Sequence, residues 1–595
     1  MRLLPTIAPH FPKAGDLALL PFGLMLSLPF LYSHHRHPIP SFYAEWWAGM
    51  LGLLAALCLL SPRYRLNFSL PRIALLPAAL AGLVLIQLAL HPTTRSDNAL
   101  LAVLYFLWVI LLMGTCNALT AIHGKSRVAD SVAFAIAIGA LLSALVVMLQ
   151  FGGASMGTIW VNPSSGRLLG NLSQPNHLAL LLWLGIAALI HLQTRQRVSP
   201  ISAACAIALL VFASLLSGSR ALWLYAIGLV VLGFILRRSV SKQESCLPGA
   251  ALALGLTVVG SVALPLLSGA AGAIYDAPVG WINPHSDGAR GGLWWMAARM
   301  GFDHPWLGIG WGNFSSASFA QIDSFRSLAP ASLTLVPGEH AHNLALNLLA
   351  ELGLIAPLLL IALAGNFLWR ITRQGIAQSN PLALSLLLLL GLHAQLEYTL
   401  WYSYFLGIAA IALALGDPDK FPLPRLRFSM LAIVLFGATA TLLLLRHDYT
   451  RLEQAMYWRV DASAAAKKPW NTVLKELIEL RQHSQFGGYV DLVLVGTMRL
   501  DRTALADKLV LCDQAIGFSP ADYAVFKCAA LLALNQQPSE AMRLFGQALA
   551  AYPGKAPEVE QSLAPLVEQF PELGALRDAA TAMNLKSAIN NSARR

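Results

Sequence analysis

The sequence predicts an all-α membrane protein, a polytopic helical bundle followed by a helical C-terminal domain. Of its 595 residues, 56% are hydrophobic and only 12% are charged, whereas soluble domains carry about 25% charged residues. Apolar segments of about 20 residues, the length that spans a bilayer as a helix, recur as far as residue 445. The remainder is charged and has helical periodicity. These three observations together predict the fold class.

About thirteen apolar segments are candidates for membrane-spanning helices. Their approximate bounds are 17–33, 43–60, 73–91, 99–120, 130–151, 176–193, 200–217, 220–236, 248–268, 341–369, 381–396, 400–416 and 428–445. Very short links predict tight hairpins for the pair 200–217 and 220–236, and for the pair 381–396 and 400–416.

The distribution of Lys and Arg predicts an inside N-terminus and an outside C-terminus. In this orientation the inside loops hold seventeen Lys and Arg residues and the outside loops hold seven. Cytoplasmic loops of membrane proteins carry the excess of basic residues. The same rule explains the net charge of +11 without nucleic acid as a partner. No small-residue cleavage site follows the first segment, so we expect that segment to be a retained anchor.

The sequence divides into a transmembrane domain at 1–445, with a large outside loop at 269–340, and a C-terminal domain at 446–595. The C-terminal domain contains the helical stretches TVLKELIELRQH, ADYAVFKCAALLALN and EAMRLFGQALAAYP, whose pairing is similar to tetratricopeptide-type stacking. Cys512 and Cys528 fall on adjacent predicted helices. In an oxidising space they form a disulfide or remain two buried thiols, and the sequence leaves both open.

Polar residues gather where alternate apolar segments begin at the outer face. The four clusters are SQPNH (173–177), SGSR (217–220), EHAHN (339–343) and EYTLWY (397–402). Helix N-termini and Arg side chains suit phosphate oxygens, so Arg220, Arg290 and Arg299 predict a site for the pyrophosphate of a membrane-embedded ligand. Arg290 and Arg299 would lie on opposite faces if one helix contains both. Each cluster alone is also typical of interfacial anchoring.

His342 is the candidate base of this site, because a histidine accepts a proton at neutral pH. Gly353 would share its helix face about three turns away. A belt histidine with a packing glycine is the alternative interpretation. His340 and His342 would point away from each other on a helix, and no further ligand is suitably spaced, so no metal site is predicted. Glu339 or Glu397 would orient His342.

These motifs resemble those of the O-antigen ligase/polymerase superfamily. His342-Asn343, nine residues and Gly353 match an H-N-x9-G pattern, with Ala356 where a second Gly is usual. The run RMGFDHPWLGIGWGNF (299–314) is similar to a second superfamily motif. NLSQPNHLA (171–179) and LEYTLWYSYFLG (396–407) resemble the bacterial protein O-oligosaccharyltransferases that glycosylate pilins. Those enzymes also have a C-terminal domain beyond the last span.

The resemblance implies an enzyme that takes an oligosaccharide from undecaprenyl-pyrophosphate and transfers it en bloc to Ser or Thr hydroxyls of periplasmic proteins such as pilins. It implies a multi-pass protein of the bacterial inner membrane whose active site faces the periplasm under the large loop. No metal, nucleotide or other cofactor is expected, because the donor is already activated. The expected partners are the lipid-linked oligosaccharide, the acceptor protein and membrane lipid.

The resemblance also assigns roles to residues. His342 corresponds to the family's essential histidine, either as a base or as a hydrogen-bonding partner of the donor. Arg220 and Arg290 correspond to arginines expected at the pyrophosphate, and Arg299 is assigned with them. Gln174 and Tyr402, with Tyr398 as the second choice, correspond to residues that hold the lipid-linked sugar. Asn176 and His177 are assigned to the same glycan site, and the supporting residues are Glu339, His340, Asn343 and Glu397.

Three alternative functions remain at this point. A ligase that transfers the glycan to lipid A-core and an O-antigen polymerase share the donor and differ in the acceptor. A secondary transporter is the alternative from another class. Transporters place ionisable groups near the bilayer midplane, often in two related halves, whereas here those groups lie at one face and no internal repeat is visible.

Overall fold

The computed structural model of the chain describes residues 14–60, 69–90, 95–153, 167–237, 245–271, 287–375, 380–422, 428–458 and 468–592. The helices are α1 (Ala14–Leu24), α2 (Phe42–Cys58), α3 (Leu75–Leu90), α4 (Ser96–His123), α5 (Lys125–Phe151), α6 (Pro175–Thr194), α7 (Pro200–Leu216), α8 (Leu222–Arg237), α9 (Leu247–Ala271), α10 (Asp287–Asp303), α11 (Phe314–Ala320), α12 (Ile322–Leu328), α13 (Leu344–Leu352), α14 (Ile355–Gln374), α15 (Pro381–His393), α16 (Ser403–Gly416), α17 (Phe428–Met456), α18 (Trp470–His483), α19 (Gly487–Thr497), α20 (Leu505–Phe518), α21 (Asp522–Leu534), α22 (Pro538–Ala551), α23 (Ala556–Val567) and α24 (Gly574–Ser592). Strands β1 (Ser69–Pro71) and β2 (Lys420–Pro422) pair antiparallel, with Ser69 opposite Pro422.

The helical class and the presence of several apolar helices of membrane-spanning length are confirmed. Seven described helices have that length and hydropathy: Arg72–Leu90, Ser96–His123, Lys125–Phe151, Pro175–Thr194, Leu247–Leu264, Ile355–Gln374 and Ser429–Met456. Shorter apolar helices occupy the other predicted segments, and α1 is followed by a 3-10 turn at Leu28–Leu31. The number of spans and their orientation stay predictions. The loop stretches 154–166 and 272–286 lie outside the described residues, as do Arg2, Lys13, Arg63, Arg65, Arg238, Lys242, Arg425 and Arg427.

The predicted segment 341–369 is wrong as a single helix. It begins with a turn, continues as the short helix α13, breaks at Gly353 and resumes as α14. His342 therefore precedes the helix, with a φ of +52°. The expectation that His342 and Gly353 share a helix face is wrong for this reason. The opposed orientation inferred for His340 and His342 also loses its basis, because both lie in the turn.

The chain folds into two compact units, and the first comprises Met1–Ala81, Leu104–Ile282 and Leu359–Leu444. Its central element is α6, since 89% of its apolar stretch is buried within the protein. Trp183 of α6 is fully buried and donates its indole N–H to the Ser214 hydroxyl at 3.1 Å. Close packing with α5 depends on a small residue, since a Cβ at Gly185 would lie 2.3 Å from the Ala140 Cβ. Small residues of this kind allow membrane helices to approach closely.

The second unit comprises Gly82–Val103, Asn283–Leu358 and Leu445–Arg595, so it includes α10–α12 of the large loop, α13 after it, and α18–α24 of the tail. One apolar core joins the two parts, because Phe319 of α11 is buried among tail residues and its ring stacks with Tyr552. A disulfide links Cys512 of α20 with Cys528 of α21, which answers the question that the sequence left open. The tetratricopeptide-like arrangement of the tail stays a prediction, as does the domain division at residue 445.

Candidate active site

In the first unit, the SQPNH cluster forms the capped beginning of the buried helix α6. Gln174 is the N-cap residue, and its side-chain carbonyl accepts the His177 backbone N–H at 2.6 Å. Pro175 occupies the first helical position, where its fixed φ and missing N–H cost nothing. The Gln174 side chain, which the resemblance assigns to the glycan, therefore also stabilises the helix that carries Asn176 and His177.

Side-chain hydrogen bonds join this cluster to two others that are distant in sequence. The Asn176 amide donates to a Glu397 carboxylate oxygen at 2.8 Å, and the Ser219 hydroxyl donates to the Asn176 carbonyl oxygen at 2.8 Å. Glu397 and Ser219 are 3% and 2% exposed. Most buried polar groups in proteins are hydrogen-bonded, and this chain of bonds joins SQPNH, SGSR and EYTLWY to one another.

Aromatic rings surround the same place. The His177 ring is buried and meets the Tyr402 ring edge-on at 4.8 Å, and the Tyr398 ring stacks on that of Tyr402 at 5.7 Å. The His177 ring also contacts the ring of His393, whose Nδ1 is hydrogen-bonded to the Tyr225 hydroxyl, and His393 and Tyr225 are both fully buried. The two half-buried tyrosines thus form the exposed side of a cluster whose buried side includes His177.

Arg220 follows Ser219 in the turn between α7 and α8, and its side chain is exposed. Gly218 in this turn has a φ of +64°, a conformation that favours glycine. Arg167 lies at the same turn, because its Nε donates to the Ser217 carbonyl at 2.9 Å. The sequence indicated Arg167 only as a loop charge. Two guanidinium groups therefore stand at the edge of the hydrogen-bonded network.

Glu45 is a residue of this region that sequence reasoning missed. Its carboxylate accepts hydrogen bonds from the Ser41 hydroxyl at 2.5 Å and from the Tyr105 hydroxyl. Its backbone carbonyl accepts from the Ser403 hydroxyl at 3.1 Å, which ties α2 to the start of α16 just after Tyr402. The available signal was a lone carboxylate in the apolar stretch FYAEWWAG, since an ionisable residue in such a segment is usually functional.

In the second unit, the H-N-x9-G pattern corresponds to one short helix with its two ends. Asn343 is the N-cap of α13, and its side-chain oxygen accepts the Leu346 N–H at 3.0 Å. Nine helical residues follow, and Gly353 ends the helix with φ 72° and ψ −170°. That conformation is essentially restricted to glycine. The spacing of the motif is therefore the length of a helix, and His342 is the residue just outside its capped end.

The carboxyl end of α13 is hydrogen-bonded to the run HPWLGIGW that precedes α11. The backbone bonds are Ile309 N–H to the Ala350 carbonyl (2.9 Å), Gly310 N–H to the Glu351 carbonyl (3.2 Å) and Leu354 N–H to the Pro305 carbonyl (2.8 Å). A Cβ at Gly353 would lie 2.6 Å from the Pro305 oxygen, and one at Gly308 would lie 2.4 Å from the Glu351 carbonyl carbon. The two superfamily motifs are thus one packed structure.

Gln87 of α3 holds the two runs together, although the sequence gave it no role. Its amide donates to the Leu307 carbonyl at 2.5 Å and to the Glu351 carbonyl at 2.6 Å. Its side-chain oxygen accepts the Trp311 N–H at 2.9 Å, and the residue is fully buried. A glutamine within the apolar stretch LVLIQLAL was the available signal, because such a polar group must find partners.

A hydrogen bond to α13 holds the turn that carries His342. Ala341 is buried, and its N–H donates to the Asn347 side-chain oxygen at 2.8 Å. Burial of the His340 ring, with His342 next to it, lowers the pKa of His340 to about 3. His340 is therefore neutral at physiological pH. Glu339 is exposed and His342 is half-buried, so His342 remains accessible to a ligand.

Glu351 is a second acidic residue that was not predicted. It is 1% exposed, and burial raises the pKa of its carboxyl to about 8. The N–H groups of Gly312 and Phe314 and the Asn347 side chain oppose this shift without cancelling it. Glu351 lies on the buried side of α13 and precedes the candidate span that begins at Ile355.

Arg290 and Arg299 both belong to α10, so the condition for their opposed orientation is met. The Arg299 guanidinium pairs with the Asp303 carboxylate at 2.9 Å, and its side chain is half-exposed. α10 packs against α13, with a Cβ at Gly301 only 2.4 Å from the Leu349 side chain. The helix that carries the two arginines therefore directly supports the helix that follows His342.

Three of the four predicted clusters are brought together in the first unit, whereas the fourth, with His342, Arg290 and Arg299, belongs to the second. The expected convergence of Arg220 and His342 stays a prediction. Among the described residues, no three His, Cys, Asp or Glu side chains are grouped as metal ligands.

Comparisons with known proteins agree with the motifs. Residues 205–361 match the family model described as O-antigen ligase. Residues 382–566 match the model described as virulence factor membrane-bound polymerase, C-terminal. A general O-oligosaccharyltransferase of Acinetobacter baylyi is 27% identical over 401 residues, which cover 66% of this chain and 68% of the relative. The resemblance to the O-antigen ligase superfamily and its O-oligosaccharyltransferase branch is thereby confirmed.

Proposed function

From this kinship and the geometry of the polar clusters, we propose that the chain transfers an oligosaccharide en bloc from undecaprenyl-pyrophosphate to Ser or Thr hydroxyls of a protein. The reaction is a glycosyl transfer to oxygen, catalysed at the outer face of the bacterial inner membrane. It needs no metal or nucleotide, because the diphosphate already makes the sugar reactive. Pilins are the expected class of acceptor.

The observation that carries this proposal is the hydrogen-bonded chain from Ser219 through Asn176 to Glu397. It joins the two motifs that are similar to protein O-oligosaccharyltransferases with the turn that carries Arg220. An exposed guanidinium suits a diphosphate, because its planar fork matches phosphate oxygens. The half-buried rings of Tyr398 and Tyr402 offer hydroxyls and faces to a sugar beside it. This surface is therefore assigned to the donor.

In the proposed step, one bond forms, one bond breaks and one proton moves. A Ser or Thr hydroxyl oxygen attacks the anomeric carbon, while the bond from that carbon to the pyrophosphate oxygen breaks. The hydroxyl proton passes to the imidazole of His342, and the lipid diphosphate leaves with an additional negative charge. The family resemblance assigns Arg220 and Arg290 to the pyrophosphate, and an arginine in that role stabilises the charge more strongly as it develops than in the bound donor, which is how such groups accelerate a reaction.

Features of the second unit fit a role of His342 in the chemical step. The positive φ of His342 and the cap at Asn343 hold the side chain outside the helix, where a hydroxyl can approach it. General acid–base catalysis by a histidine contributes about 10²- to 10⁴-fold to a rate. The disulfide between Cys512 and Cys528 supports an oxidising compartment for the tail, as expected for the periplasm.

The acceptor is the point on which the alternatives differ, since the matched family models are named for ligases and polymerases. We would express the chain in a bacterium that makes a lipid-linked oligosaccharide, together with candidate pilins. Intact-protein mass spectrometry then tests for one glycan mass on a Ser or Thr. Glycan on lipid A-core, or lengthened lipid-linked glycan without protein modification, would replace the proposal by the ligase or the polymerase.

A substitution in the donor site adds a second test. Arg220→Lys keeps the positive charge and removes the planar fork, so we expect a higher KM for the lipid-linked donor. Arg543→Lys on the exposed surface of α22 is the matched control. An unchanged donor KM in the Arg220 variant would contradict a direct contact with the diphosphate.

A further inference from the structure

The start of the candidate span α14 is attached to the loop that follows α10. Leu354 N–H donates to the Pro305 carbonyl at 2.8 Å, and Gly353 lies against the backbone of Trp306. The span begins at Ile355, one residue later. A membrane span that begins at Ile355 would therefore place the backbone at 305–306 close to the membrane surface.

Two large apolar side chains are exposed in and just after the end of α10. Phe302 is 66% exposed and Trp306 is 75% exposed. The first turn of α14 exposes Ile355 and Leu358 in the same way, at 38% and 60%. Exposed side chains of this size are costly in water, at about 25 cal/mol per Å² of apolar surface. We therefore expect an apolar partner to cover these four side chains.

The chemistry around them identifies the covering partner. Tryptophan is enriched at the membrane–water interface, where its ring and N–H suit the headgroup level. Arg299 precedes Phe302 by three residues in the same helix and pairs with Asp303 at the exposed surface. Arginine side chains can lay their apolar stems on such a surface while the charged end stays at the headgroup level. The backbone bond from Leu354 to Pro305 keeps these side chains next to the start of a candidate span, which favours lipid over a protein as the partner.

We propose that Phe302 and Trp306, here called the lipid edge, insert into the outer leaflet and hold the second unit against the bilayer. The partner is the phospholipid bilayer itself. The lipid edge would limit the distance between the His342 turn and the bilayer surface. Trp306 lies against one end of α13, and the His342 turn lies at the other end of this nine-residue helix. Nine helical residues rise roughly 14 Å. The reacting group would thus be held within about one helix length of the headgroups, where a lipid diphosphate lies.

Collision-accessibility measurements by electron paramagnetic resonance test the lipid edge without measuring glycan transfer. Spin labels are attached at Trp306→Cys and, separately, at Phe302→Cys in protein reconstituted in phospholipid nanodiscs. Cys58, Cys116, Cys205 and Cys246 are first replaced, and the Cys512–Cys528 disulfide is kept. Leu585→Cys on the last helix of the tail, with 61% exposure, is the matched control.

We expect labels at positions 302 and 306 to collide severalfold more often with dissolved oxygen than with a water-soluble nickel chelate. The control label should show the opposite preference. Equal access of the chelate to all three sites would overturn the proposal. Protection of positions 302 and 306 that occurs only after an acceptor protein is added would also overturn it, in favour of a protein-docking surface. The Phe302 label alone suffices if the Trp306 variant does not fold.

Discussion

The two units assemble their polar residues by different means. In the first unit, three sequence motifs are joined by side-chain hydrogen bonds, from Ser219 to Asn176 and from Asn176 to Glu397. In the second unit, two motifs are joined by backbone hydrogen bonds, by glycines that leave room for the neighbouring backbone, and by one side chain from outside the motifs, Gln87. The first region depends on the side chains of its motifs, and the second depends mainly on the geometry of its backbone.

This difference separates the roles of motif residues. The glycines of the second unit act on the backbone, and Gly353 ends α13, the helix that follows His342. The polar residues of the first unit support one another and border the surface assigned to the donor. We therefore expect substitutions in the second unit to act through geometry and those in the first unit through lost bonds.

The largest effect is expected for Gly353→Ala. The backbone conformation there is essentially restricted to glycine, and a Cβ would lie 2.6 Å from the Pro305 oxygen. We expect a lower melting temperature and loss of transfer, because α13 and the run at 305–311 must separate. Gly365→Ala on α14 is the control, since a Cβ there meets nothing within 4 Å. Wild-type behaviour of the Gly353 variant would refute the geometric account of the motif.

Asn176→Ala tests the side-chain network of the first unit. The change removes the partner of both Glu397 and Ser219 and leaves a buried carboxylate with one bond fewer, a cost of about 1–3 kcal/mol. Ser219→Ala should cost less, and the double variant should cost less than the sum of the two, because the residues share one network. Thermal unfolding in nanodiscs measures all three variants. Strict additivity would show that the bonds are not coupled.

A pH-dependent difference is expected at Glu351. Because its native pKa is raised to about 8 from 4.5, the native state holds a proton that the unfolded chain releases earlier. This contribution to stability is complete below pH 4.5 and is lost as the pH rises through 8. The melting temperature of Glu351→Gln should therefore exceed that of the wild type increasingly over this range. Glu568→Gln, at an exposed position of the tail, is the control, and parallel curves for all three proteins would contradict the prediction.

The smallest effect is expected for the helix caps. Asn343→Ala removes the N-cap of α13, and Asn380→Ala removes that of α15 in the first unit. Each should cost about 1 kcal/mol of stability. Only the Asn343 variant should also reduce the rate of transfer, because that cap positions His342. Equal rates for both variants would mean that the cap has no functional role.

Much of the fold followed from hydropathy, because the bilayer requires long apolar helices and leaves few alternatives. The break at Gly353 did not follow, since the stretch LALNLLAELGLIAP reads as a continuous apolar helix. Its cause is tertiary, namely the run at 305–311 that lies against the glycine. For the same reason the orientation of His342, inferred from helical phase, was wrong.

The polar clusters were visible as a set because ionisable residues are rare in apolar segments. Their pairing was not, since a hydrogen bond such as that from Asn176 to Glu397 spans 221 positions. Gln87 and Glu45 were missed for a similar reason. Each is a single polar residue whose partners are backbone groups or hydroxyls elsewhere in the chain.

We propose that His342 accepts the hydroxyl proton when the glycan passes from a lipid diphosphate to a protein. The most direct measurement is single-turnover transfer by the purified chain in nanodiscs, with lipid-linked oligosaccharide and an acceptor protein followed by mass spectrometry. We expect glycosylated acceptor with the wild type, and with His342→Ala a rate at least about 10²-fold lower at an unchanged melting temperature. A wild-type rate in the His342 variant would show that His342 does not accept the proton. An acceptor that the folded wild-type chain leaves unmodified would show that the chain does not transfer glycan to it.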